Sequence, residues 1–322
     1  MPYTSFSEGK SILKIVSYRE LSDKEKESIL PIMRLAFSWP FNPQRFEEMA
    51  KIDPHYKSSP IGFCAVENSK VVSFVGVMDL KTKNLNNEIE AVGGIWGVAT
   101  LPSHTRRGIS TELMEKAHEY FHEKSYRFSF LLTANTIIAY QFYRKLGYKD
   151  ATEFPSAQKV IKGRNMQRKE KNGKREINWD KIVEIYNKFA VDKTGFVIRD
   201  RKRFELLRKY YEINPGMVIQ SEKGYCIFKE DRDTIYPSIR ILEIITLEEA
   251  EARNLIRQIE KRAVSVIYNS VILDKNVLNA YRKLGYLIET RSYDLLMVKE
   301  LAKASFREVY GEKFYMSLLD FF

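Results

Sequence analysis

Cysteine is nearly absent: Cys64 and Cys226 are the only two in 322 residues, and they lie far apart. This scarcity argues against a disulfide framework or a cysteine-ligated metal site and fits a reducing, cytoplasmic setting. No apolar run approaches the length needed to span a bilayer, and the opening MPYTSFSEGK lacks a signal-peptide pattern. No membrane partner is therefore expected. A net charge of +11 raises the question of nucleic acid. However, eight basic and two acidic residues fall between Lys159 and Glu176, a segment that reads as a solvated connector. No helix-turn-helix, zinc-finger or aromatic RNA-binding pattern accompanies it, so no nucleic acid is expected. The remaining excess charge suits a small anionic ligand. What is present, 44% hydrophobic and 30% charged residues, supports two ordinary domains, each with its own core.

The first half predicts a strand at Ile12–Tyr18, then a helix capped by Ser22 and running to about Phe37. Ser38-Trp39-Pro40-Phe41 breaks that helix, and a short one follows over 45–51. Two strands, 62–66 and 71–78, are joined as a hairpin through Glu67-Asn-Ser-Lys70. The next stretch, Gly93-Gly-Ile-Trp-Gly-Val-Ala-Thr-Leu-Pro-Ser-His-Thr-Arg-Arg-Gly-Ile-Ser-Thr111, organises the chain. It is an extended, glycine-punctuated run that turns at Pro102-Ser103-His104 and enters a helix, with Ile109, Leu113, Met114, Ala117, Tyr120 and Phe121 on one face. A buried strand at 128–133 follows.

A strand that turns through Arg-Arg-Gly into a helix aims unpaired N–H groups at one spot, which suits phosphate oxygens. Arg106 and Arg107 can add charge-assisted bonds, and Gly108 permits close approach of a ligand to the backbone. For these three residues alone, a solvated arginine pair is the simpler reading. The whole segment resembles the acyl-coenzyme A signature of the GNAT superfamily of N-acetyltransferases, Gln/Arg-x-x-Gly-x-Gly/Ala. Thr105 stands first, Gly108 fourth and Ser110 sixth, so two of the three key positions depart from the pattern. The resemblance implies that the pantetheine arm pairs along Val98, Ala99 and Thr100. It also implies that the diphosphate rests on Arg106, Arg107, Gly108, Ile109, Ser110 and Thr111.

A second signature follows, Asn135-Thr-Ile-Ile-Ala-Tyr-Gln-Phe-Tyr-Arg-Lys-Leu-Gly-Tyr148, with Gly147 placed to cap a helix C-terminus. It is similar to the family's Asn-x-x-Ala-x-x-x-Tyr-x-Lys-x-Gly-Phe. Asn135 falls one residue early for the coenzyme contact, whereas Tyr143 matches the tyrosine that protonates the departing thiolate. The phrase Tyr-Arg-Lys-Leu-Gly-Tyr then recurs around Tyr281, after a comparable order of helices and strands. That recurrence indicates duplication. The second copy has Leu247-Glu-Glu-Ala-Glu251 where phosphates would bind, and like charges would repel a diphosphate.

His118-Glu-Tyr-Phe-His122 satisfies His-Glu-x-x-His, the zinc-protease helix. The other histidines, His55 and His104, lie upstream, and both helix imidazoles fall on its polar side, so no metal is expected.

The fold expected is mixed α+β: two tandem GNAT folds, each a mixed sheet flanked by helices. The segments are a catalytic domain at 1–160, a basic linker at 161–176, a degenerate copy at 177–300 and an apolar tail at 301–322 that docks. Tandem members that it resembles are the enhanced-intracellular-survival and mycothiol-synthase families. The resemblance implies an acetyl-CoA-dependent N-acetyltransferase acting on an amine, with Tyr143 as general acid. The alternative is a noncatalytic module that binds acyl-CoA or a protein partner. Two groups are candidates for the base. Glu90 shares a face with Trp96 and Val98 in an extended strand. The terminal carboxylate of Phe322 is the other, by resemblance to the first of those families. Phe37, Trp39 and Phe41 form an aromatic cluster that reads as core more readily than as an acceptor pocket.

Overall fold

The computed structural model describes residues 13–38, 41–161, 176–231, 237–263, 265–290 and 295–320. The described residues divide into two compact units, one within 13–80 and 91–131, the other within 81–90 and 132–320.

The first unit opens with β1 (Lys14–Ser17). Two helices follow, α1 (Asp23–Glu27) and α2 (Ile29–Phe37), where the sequence predicts one. Ser22 and Glu25 form the expected capping box. The break at Ser28 has a local cause. Pro31 has no N–H to bond residue 27, so the chain restarts with the proline inside a new first turn. The Ser28 hydroxyl also donates to the Glu25 carbonyl at 2.6 Å. Next comes α3 (Pro43–Ile52), with Asn42 as N-cap and proline at its first position. Strands β2 (Gly62–Glu67) and β3 (Lys70–Lys83) meet through Asn68 and Ser69, at φ 53° and 57°. Both central residues in the left-handed region make the tight hairpin turn whose twist matches its strands. Then come β4 (Ile89–Thr100), α4 (Ile109–Glu123) and β5 (Phe128–Thr133).

The strand order in this unit is β1-β2-β3-β4-β5, antiparallel at β1/β2 and β2/β3 and parallel at β4/β5. Helix α4 covers one face: a Cβ on Gly93 of β4 would strike Phe121. On the other face Trp96 meets Phe46 of α3 at 5.4 Å between ring centroids and Phe74 of β3 at 5.2 Å.

The second unit holds α5 (Ile138–Lys145), β6 (Lys149–Thr152), β7 (Pro155–Val160), α6 (Trp179–Ala190), β8 (Thr194–Gly195) and α7 (Arg201–Tyr210). It continues with β9 (Val218–Gln220), β10 (Gly224–Asp231), β11 (Ser238–Thr246), α8 (Glu249–Arg262), β12 (Val266–Asn269) and α9 (Lys275–Lys283). It ends with β13 (Leu287–Thr290), β14 (Leu295–Glu300), α10 (Phe306–Tyr310) and β15 (Phe314–Tyr315). A six-stranded sheet runs β13-β7-β12-β11-β10-β9. Its core gathers Ala157, Cys226, Phe228, Ile241, Leu255 and Tyr281 with their neighbours.

Two strands change places relative to the sequence segmentation. Strand β7, from the segment before residue 160, lies between β12 and β13 of the second copy. Strand β14, near the end of the second copy, pairs with β6 of the first. Lys159 secures β7 in its sheet. Its ammonium reaches Glu260 at 2.8 Å and the Leu284 carbonyl at 2.7 Å, at the C-terminal end of α9. The basic linker at 161–176 lies almost wholly outside the described residues.

Candidate functional site

Strand β4 sets the geometry. Its parallel ladder with β5 pairs Gly93, Gly94 and Ile95 with Ser129, Phe130 and Leu131, and β4 continues past that ladder to Thr100. Gly93 faces α4, and Thr100, seven residues on, also faces α4, where its hydroxyl meets that of Ser110 at 2.6 Å. Strict alternation would place residues seven apart on opposite faces. The shift occurs at Gly97, at φ 59°, whose Cβ would point at Met33 and Phe74, on the Trp96 side. Two successive residues on one face mark an irregularity that only glycine accommodates cheaply. Val98 therefore turns away from Trp96, and the single face expected for Glu90, Trp96 and Val98 ends at the glycine.

Beyond Thr100, the Leu101 N–H donates to the Val72 carbonyl at 2.9 Å, and a short 3-10 turn spans Pro102–His104. Arg106 at φ 62° and Gly108 at φ 78° are both left-handed, with Arg107 between them. For arginine that conformation costs about 1–2 kcal/mol. Alternating turn conformations of this kind gather backbone N–H groups into an anion-binding concavity. Gly108 is the N-cap of α4 with no side-chain cap, so the N–H groups of Ile109, Ser110 and Thr111 lack intrahelical acceptors. A Cβ on Gly108 would find nothing within 4 Å. The space beside the turn is open.

Each side chain in the turn has a defined place. Arg106 is exposed and makes no ion pair or hydrogen bond among the described residues, whereas Arg107 reaches Glu67 at 3.4 Å. The Ile109 side chain belongs to the core, leaving only its backbone for a ligand. The Ser110 hydroxyl is bound to Thr100, which also meets Ser73 at 2.6 Å, while Ser73 donates to the Ala99 carbonyl at 3.2 Å. Serine at the signature's sixth position therefore fits by bonding inward. Thr111 and Val98 are half-buried and Ala99 is buried. Sequence reasoning missed Glu67 and Ser73, because neither stands in a recognisable spacing with the turn.

Tyr143 lies near the end of α5, buried, with its ring 6.1 Å from that of Tyr148. Its hydroxyl has no hydrogen-bond partner among the described residues, and burial pushes the phenol above its ordinary value. It is fully protonated at neutral pH. Asn135 is exposed, in the turn before α5, and Glu90 is half-buried near the start of β4. Phe322 and Trp39 lie outside the described residues; Phe37 is exposed, and Phe41 packs on Phe46 at 5.4 Å.

The two helix histidines differ. His122 is exposed, but His118 is buried, contrary to the polar-side expectation. Its spacing of four from Met114 and three to Phe121 places it on the flank of the apolar stripe. Among the described residues no three metal-ligating side chains converge. No described helix is long and apolar enough to cross a membrane.

Residues 17–151 match the family model of an acetyltransferase (GNAT) domain. No curated protein matches the sequence. Among solved structures, the chain is similar to a GCN5-related N-acetyltransferase from Kribbella flavida at 14% identity and TM-score 0.62, covering 89% of this chain and 71% of that one. Eis1 from Mycobacterium abscessus gives 15% identity and TM-score 0.59 over 90% and 74% of the two chains. Saccharomyces cerevisiae N-myristoyltransferase with bound myristoyl-CoA gives 8% identity and TM-score 0.57 over 94% and 85%. Residues 17–151 are thus similar to a GNAT acetyltransferase domain, and about nine-tenths of the chain shares its fold with solved GCN5-related N-acetyltransferases.

Proposed function

We propose that this protein is an N-acetyltransferase that moves an acetyl group from acetyl-CoA to an amine. The observation that carries the reading is the turn from Thr105 to Thr111. It combines an uncapped helix N-terminus, two left-handed residues and open space over Gly108. Helix N-termini of this kind receive phosphate groups through backbone donors. Arg106, without a partner among the described residues, is a cation able to add charge-assisted bonds.

Two further features support the reading. Past Ile95, β4 has five residues without a β5 partner in the ladder, which suits an extended amide-bearing arm. Tyr143 offers a protonated phenol whose hydroxyl has no partner among the described residues. In the reaction, a neutral amine attacks the thioester carbonyl carbon, the carbon–sulfur bond breaks, and the phenol proton passes to sulfur. The carboxylate of Glu90 is the group proposed to relieve the ammonium of its proton.

The test is acetyl-CoA-dependent thiol release across a panel of amines, with products identified by mass spectrometry. Turnover of any amine supports the transferase. Tight coenzyme binding with no turnover across the panel would instead assign a binding module.

A further inference from the structure

Glu67 ends β2, immediately before the hairpin turn, yet its carboxylate engages the turn that follows β4. One oxygen lies 2.8 Å from His104 Nε2 and the other 3.4 Å from the Arg107 guanidinium. A carboxylate only accepts, so Nε2 carries the ring proton and donates. In the neutral ring Nδ1 then accepts from the Ser103 hydroxyl, 2.8 Å away. The Glu67 and His104 side chains are each 15% exposed, whereas Arg107 is 47% exposed. The histidine contact is thus the sheltered one, and the arginine contact is partly screened by solvent.

We propose that Glu67 is a positioning residue for the coenzyme turn. Resting on the coenzyme reading above, the proposal holds that Glu67 ties the entrance of the turn, through His104, and its middle, through Arg107, to the β2-β3 hairpin. The N–H groups between Thr105 and Thr111 are then already aimed before a diphosphate arrives. The same contact holds Arg107 on the protein side, which leaves Arg106 as the arginine that meets phosphate.

The proposal opposes simple electrostatics. A carboxylate near an anion site repels the ligand through space, so its removal alone would tighten binding. A positioning role has the opposite sign, because the ordering that Glu67 provides would have to come from the binding energy. The two accounts separate in one measurement.

Calorimetric titration of coenzyme A into the full-length wild-type protein, Glu67→Ala, Glu67→Gln, His104→Ala, Arg106→Ala and Arg107→Ala tests it. Glu67→Ala and His104→Ala are expected to weaken binding about tenfold each, and together by far less than a hundredfold, since they share one contact. Glu67→Gln keeps an acceptor oxygen and should recover part of the loss. Arg106→Ala should cost more than Arg107→Ala. In steady-state assays, KM for the acyl donor should rise more than KM for the amine, a split that general destabilisation does not produce. Should Glu67→Ala fail to fold, Glu67→Gln and His104→Ala carry the test. Unchanged or tighter binding in the folded Glu67 variants overturns the proposal alone. Absence of binding by the wild-type protein removes the coenzyme reading and this proposal with it.

Discussion

The phrase Tyr-Arg-Lys-Leu-Gly-Tyr occurs twice, and the two occurrences fold alike but leave their first tyrosines in different chemical states. In both, a glycine at positive φ, 91° at Gly147 and 72° at Gly285, closes the helix. In both, the second tyrosine's N–H returns to the first tyrosine's carbonyl at 3.1 Å. That is the six-to-one bond of a helix ending in a left-handed glycine. The hydroxyls then diverge. The Tyr281 hydroxyl accepts from the Asn269 side chain at 3.3 Å inside the core, while that of Tyr143 has no partner among the described residues. One phenol is hydrogen-bonded within the core, and the other is the proposed general acid.

The central strands show the same contrast. Strand β11 also outruns its parallel partner: its ladder with β12 ends at Ile241 and Asn269, but β11 continues to Thr246. That extension is filled with protein. Glu243 receives Arg199 at 2.6 Å and the Tyr225 hydroxyl at 2.7 Å. Arg199 also reaches Asp320 at 2.6 Å and Ser317 at 2.9 Å, which ties the C-terminal segment to this spot. The guanidinium lies 4.6 Å from the Tyr186 ring centroid, and its two carboxylate neighbours hold it charged despite complete burial. Helix α8 differs from α4 at its start as well. Glu248, Glu249 and Glu251 occupy the end where α4 has Gly108, and Glu249 pairs with Lys283 at 2.7 Å. Negative charge already answers the helix dipole there.

Substituting the paired tyrosines would test the contrast most severely. Tyr143→Phe is expected to lower turnover by about 10²–10⁴-fold with coenzyme affinity retained, the span of general acid catalysis. Tyr281→Phe should leave turnover intact and cost about 1 kcal/mol of stability, the value of one buried hydrogen bond. Equal effects on turnover would end the distinction. Because burial raises the Tyr143 phenol, kcat should show no alkaline loss from this group below about pH 10.

Next in size is the ion cluster that closes the second copy. Arg199→Met leaves Glu243 and Asp320 buried without their cation and should destabilise by about 3–5 kcal/mol in chemical denaturation. A variant as stable as the wild type would show that the tail does not depend on this cluster. The smallest effects come from the glycines. Gly108 and Gly285 are both left-handed with no atom within 4 Å of an added Cβ. Alanine at either should cost about 1–2 kcal/mol of stability through the backbone alone. Only Gly108→Ala should also weaken coenzyme A binding in calorimetry. A matching loss in Gly285→Ala would place the coenzyme elsewhere.

Sequence alone determined what short-range chemistry decides. The capping box at Ser22 and Glu25, the Asn68-Ser69 hairpin, the glycine caps at Gly147 and Gly285 and the apolar stripe of α4 depend on residues a few positions apart. Their geometry is therefore written in local spacing. The uncapped turn into α4 was legible for the same reason, since it is built from consecutive residues. Tertiary structure alone decided the rest. Glu67 stands 37 positions from His104 in the chain, Arg199 stands 121 from Asp320, and no periodicity links either pair. The exchange of β7 and β14 was hidden as well, because a strand's alternation shows which side is apolar but not which neighbour completes its hydrogen bonds. Side-chain spacing selects the element, while long-range burial and charge pairing select its partners.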